Sequence, residues 1–314
     1  MTDVTDAVAP DGGHGTARTS PAADDTDAQV GAGAPERVGV LGGGRMGAGI
    51  AHAFVLAGSQ VVVVERDEAA ADAARERVAA SLARSVERGW AEPLDELEGR
   101  LSVAVDVAAF GGCGLVVEAV PEDEGLKADA LARVEAVLDD RAALASNTSS
   151  ISIDRLARGL ARPERFLGLH FFNPVPASAL VEIVLGDATE PRLANDARAW
   201  VEAIGKAPVT VHDAPGFASS RLGVALGLEA IRMVEEGVAS PGDIDTAMEL
   251  GYKHPVGPLR TTDIVGLDVR LGIAEQLHRE LGPRFEPPAL LRQMVAEGRL
   301  GKKSGRGFYD WTAE

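Results

Sequence analysis

The chain has one cysteine, Cys113, in 314 residues. That excludes an intrachain disulfide and any zinc site built on cysteines, and Cys113, before an apolar strand, reads as a structural thiol. No apolar run approaches the ~18 residues a membrane-spanning helix needs. The N-terminus lacks the basic region and apolar core of a signal peptide, so the expected compartment is cytoplasmic. Positive charge is scarce: 31 Lys and Arg face 48 Asp and Glu, a formal net charge of −17. This argues against nucleic acid or an anionic membrane as the main partner, but a phosphorylated small molecule stays open because local fields differ from the global sign. No His/Cys/Asp/Glu cluster has metal-ligand spacing, so no metal is expected. Large apolar residues are almost missing from residues 1–35. Such a segment cannot offset its ordering entropy and is expected to be a disordered acidic tail.

What is present begins at Arg37-Val-Gly-Val-Leu41, a short apolar run that reads as a buried strand. Gly42-x-Gly44-x-x-Gly47 follows it, with Arg45 and Met46 between the glycines, and a small-residue helix comes next. Strand, glycines and helix in that order are the context of a dinucleotide-binding turn. Gly42 makes the tight turn, Gly44 admits the pyrophosphate, and Gly47 lets helix and strand pack closely. The next apolar strand ends in Glu65, 23 residues beyond Gly42. An acid there hydrogen-bonds ribose hydroxyls and repels a 2′-phosphate, favouring NAD over NADP. Arg66 beside it is the usual device for accepting that phosphate and leaves the preference open to test.

Apolar strands and amphipathic helices alternate to about residue 213, as in a doubly wound, mostly parallel sheet. A helix is expected over 124–138, and Gln60–Glu65, 114–120, 166–172 and 180–184 read as strands. After His212-Asp-Ala-Pro-Gly216 the pattern is helical, with Ser240 as an N-cap, Pro241 at the first helical position, and helices over about 262–281 and 287–298. The expected organisation is α/β: a Rossmann-type cofactor domain over 36–213, then an all-α domain over 214–314. On the helix over 217–234, Leu222, Leu226, Leu228, Ile231 and Val234 are spaced as one apolar, core-facing stripe. His212 and His254 read as structural.

Three stretches exceed what sheet-building needs: the polar cluster Ala145-Ser-Asn-Thr-Ser-Ser150, the strand-ending His170, and Glu182, the one charge inside Leu180-Val-Glu-Ile-Val184. Oxidising an alcohol carbon by hydride loss requires removing the proton on its oxygen. Histidine suits that near neutral pH, and a carboxylate on its other nitrogen fixes the tautomer and raises its basicity. Twelve residues separate His170 from Glu182, a spacing that suits neighbouring strands joined by a turn at Asn173-Pro174.

The glycine turn, Val117-Glu-Ala-Val-Pro-Glu122, Ser146-Asn-Thr-Ser-Ser150, His170-Phe-Phe-Asn-Pro-Val-Pro176, Pro215-Gly-Phe217, Asp243-Ile-Asp-Thr-Ala-Met248 and Gly301-Lys-Lys-Ser-Gly-Arg-Gly-Phe-Tyr309 occur in order. From about residue 36 to the C-terminus the chain resembles the 3-hydroxyacyl-CoA dehydrogenase family. The resemblance implies an NAD-dependent enzyme with an acyl-CoA substrate, His170 as base and Glu182 as orienting acid. It implies Ser149 on the substrate oxygen beside the nicotinamide, and Glu122, Lys127, Asn173 and Lys303 on NAD. Ser81 and Arg88 match positions that touch coenzyme A, Arg88 standing for a lysine. It further implies a homodimer through the helical domain. One position departs: Ser220 stands where the family carries an active-site asparagine. Two alternatives remain at this stage, a same-fold dehydrogenase of a hydroxy acid without CoA, and a dinucleotide-binding protein without turnover.

Overall fold

The computed structural model of the protein describes residues 33–312. The expected disordered tail lies outside them except at its end, where Ala34 packs on the core and the Pro35 carbonyl accepts a hydrogen bond from Ser59 Oγ at 2.7 Å.

Strands and helices alternate from the start. β1 (Arg37–Leu41), α1 (Arg45–Leu56), β2 (Gln60–Val64) and α2 (Glu68–Glu87) open the fold, followed by α3 (Leu94–Glu98) and β3 (Leu101–Ala104). Then come β4 (Leu115–Glu118), α4 (Glu124–Glu135), β5 (Ala143–Ser146), α5 (Ile153–Ala157) and β6 (Phe166–Phe171). β7 (Leu180–Leu185), α6 (Pro191–Ala203) and β8 (Ala207–His212) complete one eight-stranded sheet of order β3-β2-β1-β4-β5-β6-β7-β8. The continuous apolar runs are explained by burial on both faces. In β2, Val61 and Val63 enter the core under α1 and α2, while Val62 and Val64 enter the one beneath α4 and α5. Asp67 and Asp123 cap α2 and α4, accepting from Ala70 N and Leu126 N at 2.8 Å each, and α4 begins where its sequence implies.

Two features of the sheet place the site. Strand order reverses between β1 and β4, and such a switch point opens the crevice where doubly wound folds take dinucleotides. β7 runs antiparallel to β6 and parallel to β8. The 172–179 connection is too short for a crossover helix, so the chain must turn back on itself. That reversal puts Glu182 directly opposite His170 in the register.

The rest of the described chain is helical: α7 (Ser219–Glu235), α8 (Pro241–Tyr252), α9 (Pro258–Val265), α10 (Leu267–Leu281) and α11 (Ala289–Ala296). Ser240 caps α8 by accepting from Asp243 N, with Pro241 at the first position, as its sequence implies. The single helix expected over 262–281 is two helices, because Gly266 adopts φ 104°, a conformation that ends α9 and re-aims α10. The expected apolar stripe on α7 divides: Leu228 and Ile231 are buried, whereas Leu222 is 70% exposed. Among the described residues no helix is long and apolar enough to cross a membrane, and no group of three or more His, Cys, Asp or Glu could hold a metal ion. Cys113 is buried, and burial pushes its thiol pKa up, which keeps it an unreactive thiol.

Candidate active site

The glycine turn is a backbone cradle. Gly42 has φ 91° and donates its N–H to Val64 O at 2.8 Å, tying the turn to β2. A Cβ on Gly47 would lie 1.7 Å from Gly42 O, so a side chain there would force helix and turn apart. A Cβ on Gly44 would meet nothing within 4 Å, which leaves open space where a pyrophosphate approaches. No side chain caps α1, so its first N–H groups and positive dipole end are free for an anion. Arg45 is exposed at that entrance, and Met46 packs partly on the core. The middle glycine contributes too: Gly43 N–H donates to Glu65 Oε1 at 2.7 Å, joining the turn to the acid that follows β2. Arg66, its neighbour, is drawn to Asp67, with Nε–Oδ2 at 3.0 Å. These features fit a dinucleotide with an unmodified 2′-hydroxyl.

At the carboxyl ends of β4 and β5 a second constellation forms around carboxylates. Glu118 is wholly buried and accepts from Lys127 Nζ at 2.7 Å and Ser146 Oγ at 2.6 Å. Lys127 is itself 1% exposed, and its remaining reach goes to Val120 O at 3.1 Å and Glu122 Oε2 at 3.4 Å. Its ammonium is thus spent inside the protein, and any influence on a cofactor runs through Glu122. Glu122 Oε1 gathers the Ser/Thr loop: Thr148 Oγ1 at 2.6 Å, Ser149 N at 3.0 Å, Ser150 N at 3.1 Å and Ser150 Oγ at 2.9 Å all donate to it. Burial raises the Glu122 pKa, but the Thr148 hydroxyl, Lys127 and the loop donors outweigh it and hold the group below the usual carboxylate range. Ser149 Oγ lies 3.4 Å from the same oxygen, a weak contact that leaves the hydroxyl available. From the helical region, Gln276 Nε2 of α10 donates to Ser150 O at 2.6 Å and pins the loop from the far side.

His170 and Glu182 meet across β6 and β7 with Nδ1 and Oε2 2.8 Å apart, both buried. The Glu182 carboxylate also accepts from Ala218 N at 3.1 Å and Ser219 N at 2.8 Å on Oε1, and from Ser219 Oγ at 2.7 Å on Oε2. Burial pushes this carboxyl up, yet the donors from His170 and Ser219 more than offset it and keep the group ionised. An ionised carboxylate only accepts, so Nδ1 of His170 must donate, which leaves Nε2 as the basic nitrogen. The rings of Phe172 and Phe217 lie 4.5 and 5.7 Å from the imidazole and fix its plane. Phe217 has φ 48°, a left-handed conformation a phenylalanine rarely adopts, at the turn leading into α7.

A cavity of about 670 Å³ opens between α1, α2 and the 173–177 loop. Arg45, Arg77, Arg84 and Arg88 line it together with Ser81 and Asn173, a local concentration of positive charge in an acidic chain. Ser81 is buried rather than exposed, while Arg88 is exposed and stacks over Trp90 at 4.9 Å. Lys303 is elsewhere engaged, in an ion pair with Asp268 at the start of α10. Ser220 is half-buried, and it is Ser219, one residue earlier, whose hydroxyl reaches the Glu182 carboxylate. The sequence offered little warning of Ser219, Glu118 or Gln276, because each gains its role from a partner 28 to 126 positions away.

Known proteins resemble this chain over most of its length. Residues 37–214 match the model of the 3-hydroxyacyl-CoA dehydrogenase NAD binding domain, and residues 216–311 match that family's C-terminal domain. A probable 3-hydroxybutyryl-CoA dehydrogenase of Deinococcus radiodurans is 41% identical over 277 residues, covering 88% of this chain and 100% of that protein. A 3-hydroxybutyryl-CoA dehydrogenase of Mycobacterium tuberculosis is 44% identical over 281 residues, covering 88% of this chain and 98% of the relative. Among solved structures, the (S)-3-hydroxybutyryl-CoA dehydrogenase of Ralstonia eutropha superposes with a TM-score of 0.84 at 38% identity, over 89% of this chain and all of that one.

Proposed function

The chain belongs to the 3-hydroxyacyl-CoA dehydrogenase family, and we propose that its substrate is a short-chain L-3-hydroxyacyl-CoA such as 3-hydroxybutyryl-CoA. It is an NAD-dependent oxidoreductase that oxidises 3-hydroxyacyl-CoA to 3-ketoacyl-CoA, a reversible step of fatty acid metabolism. The observation that carries the chemistry is the His170–Glu182 pair at 2.8 Å, which leaves Nε2 as the basic nitrogen.

NAD, when bound, supplies the hydride acceptor. In our reading the backbone of Gly42, Gly44 and Gly47, with Arg45 and Met46, holds the pyrophosphate, and Glu65 holds the adenosine ribose. His170 Nε2 takes the proton from the 3-hydroxyl while the C3–H bond loses its hydride. Glu182 stabilises the imidazolium that results, and in reverse the same nitrogen returns the proton to the ketone oxygen. Ser149 donates to that oxygen from the loop that Glu122 organises, and Asn173 completes the cofactor contacts, which Lys303 joins only by leaving Asp268. Ser81 and Arg88 border the cationic cavity, which suits the phosphates of coenzyme A. Ser220, with its shorter reach than asparagine, meets the acyl end and leaves room there. Residues 36–213 form the cofactor domain and 214–314 the helical one. Exposed apolar side chains on the latter, among them Leu222, Leu250 and Ile264, support a homodimer. We place the enzyme in the cytoplasm.

The test follows NADH absorbance with acetoacetyl-CoA, longer 3-ketoacyl-CoA substrates and free 3-keto and 3-hydroxy acids, repeated with NADPH. Fast turnover of acetoacetyl-CoA with NADH is expected. Preference for the free acids would replace the acyl-CoA reading, and NAD binding without turnover of any of them would leave a binding protein.

A further inference from the structure

Glu182 does two things at once. Its Oε2 takes the Nδ1 proton side of His170 at 2.8 Å, and its Oε1 terminates the N-terminus of α7 through the N–H groups of Ala218 and Ser219. The first residue of that helix adds a third link, because the Ser219 hydroxyl donates at 2.7 Å to Oε2, the same oxygen that holds His170. Glu182 is 1% exposed, so water does not stand in for either donor. The groups packed around it are few. β6 brings His170, β8 brings Val209 opposite it in the register, and α7 brings Ala218 and Ser219, with Arg221 two residues further along the helix.

We propose that Ser219 is a positioning residue that sets the basicity of the His170–Glu182 pair, its hydroxyl sharing Oε2 and so limiting how strongly the acid draws a proton onto the imidazole. The physical reason is competition at one oxygen. Each hydrogen bond that a carboxylate accepts withdraws charge from it and weakens it as an acceptor for the next donor. With two donors on Oε2, the imidazolium gains less from Glu182 than it would from an unshared oxygen. Neutral His170 is the form required to take the substrate's hydroxyl proton, and it becomes charged as the alcohol gives that proton up. The hydroxyl comes from the helical region and the pair from the sheet, so the setting depends on α7 keeping its seat on β7. This inference rests on the dehydrogenase reading for its kinetic consequence, though not for its effect on His170.

The experiment compares wild type with Ser219→Ala, Ser219→Gly and Ser219→Thr. Alanine and glycine delete the hydroxyl, alanine keeping the Cβ, and threonine keeps the hydroxyl. Two measurements are made: the titration of the His170 imidazole by nuclear magnetic resonance in the free protein, and the pH profile of kcat/KM for oxidation. Deletion is expected to raise the His170 pKa by about half a unit or more, moving the acid limb of the oxidation profile to higher pH, with threonine restoring the wild-type value. An unmoved or lowered His170 titration in both deletion variants overturns the proposal, as does failure of threonine to restore it. The resonance measurement needs no substrate, so a protein that fails every acyl-CoA but shows the shifted titration would sink the substrate reading and leave this one standing.

Discussion

The glycine turn and the His170–Glu182 pair are built in opposite ways. The turn is shaped by backbone geometry: Gly47 is constrained by the carbonyl of Gly42 five residues earlier, and the N–H groups of Gly42 and Gly43 tie it to Val64 and Glu65 at the end of the next strand. The pair is assembled from two antiparallel strands and the first residues of a helix, with partners 12 and 37 positions apart. One region follows from local stereochemistry, where a missing Cβ is the whole requirement. The other follows from packing, where a buried acid must find four donors or become too costly to keep charged. A cradle of the first kind binds whatever carries a pyrophosphate. A pair of the second kind acts only where strand reversal has set it.

If the two regions are separable, removing the base must spare the cofactor. His170→Ala is expected to lower kcat about a thousandfold while the Kd for NADH, read by fluorescence titration, stays within about twofold of wild type. Parallel losses in turnover and binding would show that the regions are one unit. The reverse test is Gly47→Ala, whose new methyl would sit 1.7 Å from Gly42 O. Overpacking of this kind costs about 2–3 kcal/mol, which corresponds to NADH binding weakened by about 100-fold, whereas the His170 imidazole resonance should stay unchanged. Wild-type affinity in that variant would mean that the turn is not the phosphate cradle.

A smaller effect sharpens the contrast inside α1 itself. His52 lies on the cofactor helix but is buried against Ser85 of α2, with Nε2 and Oγ 2.9 Å apart. Burial, then the charges of Lys206 and Arg84, lower its pKa to about 4 from an ordinary 6.5. The unfolded chain therefore takes up a proton as pH falls through 6.5, and the folded chain does not until about 4. Stability from this neutral histidine is complete above 6.5 and is lost as pH falls from 6.5 towards 4, at no more than about 1.4 kcal/mol per pH unit. Denaturant titrations at pH 7, 5.5 and 4.5 should show this slope, and His52→Gln should flatten it. An equally steep loss in that variant would assign the acid sensitivity to other groups.

Much of this was readable beforehand because neighbouring residues carried it. The alternation of apolar runs and helices implied a doubly wound sheet, and Gly42, Gly44, Gly47 and Glu65 implied the cofactor before any contact was seen. Ser240 and Pro241 marked the start of α8. The break at Gly266 was missed because amphipathic periodicity continues across it, and only the φ of 104° reveals that the helix turns. Leu222 was misplaced for a related reason: helical spacing says which residues share a face, not whether that face is covered. Lys127, expected on NAD from the family resemblance, has a side chain 1% exposed that pairs with the buried Glu118 nine residues earlier, a burial that helical periodicity does not reveal.

The sequence alone determined the cofactor turn, the alternation that builds the sheet, and the identity of a histidine and an acid at the right separation. Those depend on local rules, namely glycine's missing Cβ, the period of apolar residues and the chemistry of side chains. Tertiary structure decided that β7 would reverse and set Glu182 opposite His170, that Glu122 would gather the serine loop, and that α7 would bring Ser219 to the carboxylate. The reason is physical. A buried charge is stable only when its donors arrive together, and donors spread over tens of residues are brought together by packing, which local sequence does not specify.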